Sequence, residues 1–148
     1  MGILLVFLVI LGGISKFYRR IIPLSLGLEL KTFFTVVIAY AVNPGTAIIC
    51  AAAMVIVSSI ITNRFCHWIP IKIGVYTIMA GIVSLSIGMG VVGAGRIAVI
   101  FLNIAYIIFN ALLKDFKIMS DLPGNFINVV FNFVLLGVFG QFMVNLLS

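Results

Sequence analysis

The sequence predicts an all-α, polytopic integral membrane protein: a helical bundle of about six transmembrane helices, or five if the first apolar segment does not span. Three observations predict it. Hydrophobic residues make up 64% of the 148 and charged residues 8%, against about 45–50% and 25% in a soluble domain. Apolar runs return about every 25 residues, and several approach the ~20 residues that a bilayer core of roughly 30 Å asks of a helix. Short stretches holding Pro, Gly and basic residues separate the runs, as helical hairpins require. Residues 1–148 are expected to form one transmembrane helical domain with no soluble module beside it.

The first segment, Gly2–Ser15, would be about 21 Å long as a helix, short for a span. Its length resembles a signal-peptide core, but Lys16, Arg19 and Arg20 follow it instead of preceding it, so a retained first helix is expected. The second segment runs from about Ile21 to Val42, is entered through Pro23, and carries Glu29 and Lys31. Asn43-Pro44-Gly45 breaks it and gives a tight reversal into the Ala-rich third segment, Gly45–Thr62. Asn63 to Pro70 makes the next loop, with Trp68 placed as an interfacial anchor. The fourth segment is Ile71–Val92, ended by Gly93-Ala94-Gly95; the fifth is Arg96–Leu113. A polar loop from Lys114 to Gly124 follows, and Pro123-Gly124 opens the sixth segment, Asn125–Leu147.

The net charge of +6 is not a nucleic-acid signal, because the basic residues sit in short loops between apolar segments and read membrane orientation and anionic headgroups. Lys16, Arg19, Arg20, Lys31, Arg64, Lys72, Lys114 and Lys117 fall after segments one, three and five, and only Arg96 falls on the opposite side. This bias places the loops near residues 16–20, 63–70 and 114–124 in the cytoplasm and both termini outside.

The fourth segment carries glycine at every seventh position: Gly74, Gly81, Gly88 and then Gly95. That spacing keeps small groups on one stripe, where helices in lipid approach closely. A helix-packing seam within the subunit is expected, with a hinge or an oligomer contact as the alternative.

Polar residues in the membrane segments are the candidates for function. Arg96, Asn103, Tyr106 and Asn110 fall within about 80° on the fifth segment, together with Lys114. Asn125, Asn128 and Asn132 repeat part of that spacing on the sixth. Facing lipid would be costly, so these stripes should face the bundle interior or water. They either hydrogen-bond across a hairpin or line a cavity for a small polar solute. Glu29 is an intramembrane carboxylate, a candidate for coupling to a cation or pairing with Arg96; alternatively Pro23 and Gly27 keep it outside the hydrocarbon. Glu29 and Lys31, two residues apart on a helix, would point about 160° away from each other and not pair. The candidate substrate-binding set is therefore Glu29, Arg96, Asn103, Tyr106, Asn110, Asn125, Asn128 and Asn132.

No Ser/His/Asp arrangement, paired carboxylates or HExxH helix occurs, so neither catalysis nor a cofactor is expected. Cys50 and Cys66 form no CxxC or zinc-like set, and Cys66 with His67 is too few ligands for a metal.

From Leu26-Gly-Leu-Glu-Leu-Lys-Thr-Phe through Asn43-Pro-Gly-Thr-Ala into the Ala-rich helix, and again at Leu122-Pro-Gly-Asn-Phe-Ile-Asn, the chain resembles the small six-helix substrate-binding subunits (S components) of energy-coupling-factor transporters. The rod-shape membrane protein family MreD has a similar plan. The first resemblance implies a solute-binding subunit or small transporter working with a membrane protein partner, since no P-loop is present. The second implies a non-transporting scaffold or assembly subunit, whose asparagines are internal glue. An oligomeric channel is a third reading. The expected location is a prokaryotic cell membrane, with the bilayer, a membrane partner or further copies of the chain as its contacts.

Overall fold

In hydrocarbon every backbone donor and acceptor has to be satisfied within its own segment, which leaves an apolar chain of this kind the helix as its building unit. The computed structural model describes residues 2–15, 17, 28–62, 68–112 and 118–148, except the side chains of 118–121. Among the described residues there is no strand. The helices are α1 (Gly2–Ile14), α2 (Leu30–Ala41), α3 (Pro44–Ile61), α4 (Trp68–Leu85), α5 (Gly90–Leu112) and α6 (Ile118–Leu147). Four are long and apolar enough to cross a membrane: α3, α4, α6, and α5 with the turn before it. The other two, of 13 and 12 residues, reach only about 20 and 18 Å.

The short helix α2 is the centre of the bundle. Nine consecutive residues, Lys31 to Ala39, are buried, and all five other helices pack around it. A helix buried on every side needs no polar face, and Phe33, Phe34 and Val36–Ile38 fill this one. The same wrapping keeps Lys31, Thr32 and Thr35 off the outer surface of the bundle. Thr35 satisfies its hydroxyl by donating to the Lys31 carbonyl at 2.7 Å, and Ser59 does the same to Val55 at 2.8 Å.

The reversal after α2 follows the sequence. Asn43 caps α3, its side chain accepting from the Thr46 amide at 2.7 Å, and Pro44 takes the first helical position, where its missing N–H costs nothing. Contacts fix the directions of the helices. Lys31 meets Ser58, so α2 and α3 are antiparallel; Thr32 meets Tyr76 and Tyr40 meets Ile87, so α2 and α4 are parallel. Glycines 12 and 13 pack on Met54 and Val57, laying α1 alongside α3. On α5 and α6, residues 95 and 103 meet 136 and 128 in an antiparallel pair. One end of the bundle therefore gathers the finish of α1, α3 and α5 and the start of α2, α4 and α6. This is the end whose connections carry the basic residues; those connections lie outside the described residues.

Three sequence expectations change. The fourth segment ends earlier than Gly93-Ala94-Gly95: α4 stops at Leu85, a single 3-10 turn spans Ile87–Met89, and α5 begins at Gly90. Gly90 has φ 73° and ψ 164°, a conformation open essentially to glycine alone, and this residue makes the break. A Cβ there would meet nothing within 4 Å, so Gly90→Ala is expected to destabilise by about 1–3 kcal/mol through backbone strain alone. Thermal melts of the alanine variant check this, with Gly88→Ala as the neutral comparison.

The second change concerns the glycine seam. A Cβ at Gly74, Gly81 or Gly88 would meet nothing within 4 Å, so these three do not seat α4 against its neighbours. They lie on the face turned away from the bundle, and Gly88 belongs to the turn. The close approaches are made by Gly12, Gly13 and Gly95, where an added Cβ would collide with Met54, Val57 and Leu136 respectively. Third, α6 starts at Ile118 and contains Pro123 in its interior, so the proline does not open the helix.

Candidate functional site

Two polar clusters interrupt the apolar core. The first lies toward the basic end and is organised by α2. Glu29 stands just before the helix in extended conformation (φ −119°, ψ 104°), so the helical angle separating it from Lys31 does not apply. Its carboxylate Oε2 is 3.9 Å from the Lys31 ammonium. This corrects the expectation that the two cannot pair. Lys31, 4% exposed, also donates to the Ser58 hydroxyl on α3 at 3.1 Å. One residue on, the Thr32 hydroxyl lies 3.4 Å from the Tyr76 hydroxyl of α4. Tyr106 of α5 stands beside Tyr76, and both phenols feel the Glu29 carboxylate. Four helices thus bring one carboxylate, one ammonium and four hydroxyls together.

The second cluster joins α5 to α6. Asn103, buried, donates from Nδ2 both to the Val99 carbonyl at 2.8 Å and to Asn128 Oδ1 at 3.1 Å. Asn132, 0% exposed, donates to the Asn128 carbonyl at 2.9 Å, while its own Oδ1 has no hydrogen-bond partner. The cause is register. In an antiparallel pair that sets Gly95 against Leu136 and Asn103 against Asn128, Asn132 comes level with Val99, which offers no side-chain donor. Equal spacings on the two helices run in opposite directions, so only one amide pair can meet. A buried acceptor left unsatisfied costs about 1–3 kcal/mol.

The eight candidate residues are thus divided. Glu29 and Tyr106 join the α2-centred cluster; Asn103, Asn128 and Asn132 form the α5–α6 cluster; Asn125 borders, with Asn103, a groove on the outer surface next to it. Arg96 is exposed and lies over the Phe133 ring at 5.5 Å. Its contact is with Phe133 while Glu29 faces Lys31, so the expectation that Glu29 pairs with Arg96 is not met. Asn110 is half-buried near the end of α5, outside both clusters. The 80° arc read from the α5 sequence has therefore been split: Asn103 turns to α6 and Tyr106 to α4.

Lys31, Thr32, Ser58 and Tyr76 complete the first cluster and were not in the candidate set. A threonine or serine in an apolar run is ordinarily a back-bonded packing residue, and only the fold reveals which of them face a charge. Among the described residues no three His, Cys, Asp or Glu side chains come together. Cys66 and His67 lie outside the described residues, and Cys50 is a buried free thiol.

No family model, curated protein or solved structure matches this chain.

Proposed function

We propose that this protein is a membrane-embedded binding subunit or small transporter for a small polar solute. The observation that carries the reading is the ion-paired hydroxyl cluster around α2. Ionisable groups at membrane depth are expensive and mark solute or ion pathways, and this one is placed at the bundle end reached from the basic side. Its groups suit a solute with both acceptor and donor functions: Lys31 for a carboxylate or phosphate oxygen, Glu29 for an amine or hydroxyl, and Tyr76 and Tyr106 to fix orientation. This reading includes an energising membrane partner, which the co-purification below tests.

Purified protein is expected to gain thermal stability with one member of a polar metabolite panel. Tyr106→Phe, which removes a single hydroxyl, should reduce that gain without unfolding the bundle. A full panel with no stabilising compound defeats the reading.

The Asn103–Asn128 hydrogen bond favours a second reading, a non-transporting scaffold in which the amides are interhelical glue. Partners retained in mild detergent separate the two: nucleotide-hydrolysing subunits for transport, envelope-assembly proteins for a scaffold. Orientation adds an independent check. With Lys31 buried in α2, seven basic residues still stand on one side against Arg96 on the other, so the 63–67 connection is assigned to the cytoplasm. In intact cells a membrane-impermeant thiol reagent should leave Cys66 unlabelled until the membrane is opened; labelling from outside reverses the orientation.

A further inference from the structure

Arg96 is a charge that the bundle turns outward within a membrane span. It is exposed on α5, in the apolar stretch Ile87–Leu112 of 26 residues, about 39 Å long. It follows Ile87 by nine residues, about 13.5 Å along the axis. Wherever a ~30 Å hydrocarbon core falls along that stretch, the Arg96 backbone is about 4–14 Å inside it. Val91 on Gly140, Gly95 on Leu136 and Asn103 on Asn128 fix the α5–α6 register, which sets Phe133 level with Ala98. The guanidinium lies over the Phe133 ring, 5.5 Å from its centre. It is thus held against a residue placed about 3 Å further into the bilayer than Arg96 itself, not raised toward the headgroups.

A cation at that depth is expensive and pairs with another group. The ring face attracts it without neutralising it. The chain has three acids. Glu29 faces Lys31. Asp121 stands twelve residues before Phe133 on α6, about 18 Å along the axis. Asp115 follows the end of α5 in sequence, and that end is about 24 Å from Arg96. Among the described side chains, none supplies the opposite charge. A lipid phosphate lies outside the hydrocarbon, on the side away from Phe133. A second copy of this chain would set Arg96 against Arg96 across a two-fold axis. A carboxylate on the helix of another membrane protein meets the charge at its own depth.

The surface beside Arg96 suits such a helix. On α6, Phe133 is followed at four-residue steps by Gly137 and Gln141, which form one ridge. Both are exposed. A Cβ at Gly137 would meet nothing within 4 Å, which leaves room for a partner backbone to approach closely. Gln141, bonded to Asn145 at 3.0 Å, keeps further amide capacity for hydrogen bonds between helices.

We propose that the outer α5–α6 face centred on Arg96 docks a transmembrane helix of a different protein, through an Asp or Glu which that helix carries within the hydrocarbon. The carboxylate takes the guanidinium as an ion pair with two parallel hydrogen bonds, and Gly137 seats the partner backbone. The face is separate from the α2-centred cluster, so a transport role and a scaffold role are served alike.

The test reconstitutes the full chain in zwitterionic phospholipid vesicles with a Leu-based transmembrane peptide. The peptide carries one Asp about six residues in from its end, near the depth of Arg96, or Asn at the same position. Energy transfer between labels reads association. The Asp peptide is expected to associate about tenfold more tightly than the Asn peptide, the low end of what a hydrogen bond to a charged group carries. Arg96→Met should melt as wild type does, because the side chain is exposed, and should lose the preference. Arg96→Glu should transfer it to a peptide carrying Lys. Equal association of the Asp and Asn peptides with wild type, or a preference that survives in Arg96→Met, overturns the proposal. So does a wild type that melts above Arg96→Met only in phosphatidylglycerol vesicles, which assigns the guanidinium to a lipid phosphate. Self-association that Arg96→Met abolishes overturns it too, since the face would then hold a second copy.

Discussion

Lys31→Met is expected to destabilise the bundle by about 3 kcal/mol, near the low end of the ~3–5 kcal/mol that breaking a buried ion pair costs. The low end applies because the pair is long, at 3.9 Å, and the Glu29 side chain is 14% exposed. Methionine nearly preserves the volume, so the loss reports charge and hydrogen bonding instead of a cavity. Ser58 loses its donor, and the Glu29 carboxylate loses the ammonium it faces. Adding Glu29→Gln should recover part of the stability, because the carboxylate that Lys31 faced is removed with it. Unfolding in a denaturing-detergent titration measures all three variants. A double variant no more stable than Lys31→Met would show that the pair is not the source of the loss. The cycle also bears on function: a double variant that is stable yet no longer gains stability from any solute separates binding from folding.

What was legible in the sequence was local. Asn43-Pro44 announces its turn because a side-chain cap and a fixed φ act within four residues. The apolar runs announce helices because lipid permits little else. Direction was not legible. A seven-residue glycine spacing reports a stripe on α4 and is silent on whether the stripe looks inward; Gly74 and Gly81 look outward. Gly95 continues the same count, yet the strained Gly90 backbone restarts the helix before it, so it belongs to another helix and another face. The Glu29–Lys31 angle failed for a related reason: the rule assumes that both residues are helical, and Glu29 is extended. In the α5–α6 stripes a hydrogen bond across the hairpin does form, between Asn103 and Asn128, but the same register sets Tyr106 level with Asn125 and Asn132 level with Val99, so which side chains meet depends on their directions as well as on their spacing. The α2-centred cluster depends on four helices meeting, information that no single segment contains.

The largest packing effect is expected at Gly95. A Cβ built there would lie 2.7 and 2.9 Å from the two methyls of Leu136 and 3.0 Å from Val36 Cγ1. Both neighbours are 0% exposed, so neither has open space to move into. One belongs to α6 and the other to the central α2, and a larger residue at 95 must push both away from α5. Gly95→Leu should therefore cost about 3 kcal/mol or more, at or above the top of the usual 1–3 kcal/mol for overpacking. Separating α5 from α6 would also stretch the Asn103–Asn128 hydrogen bond two turns away, adding to the loss. Gly81→Leu makes the same chemical change on a face that meets nothing within 4 Å and should leave the melting temperature near that of wild type. Leu136→Ala in the Gly95→Leu background should restore part of the stability by returning the space. If Gly81→Leu proves the more damaging, the outward assignment of the α4 glycines is wrong; if Leu136→Ala gives no recovery, the contact across α5 and α6 is not what holds Gly95 in place.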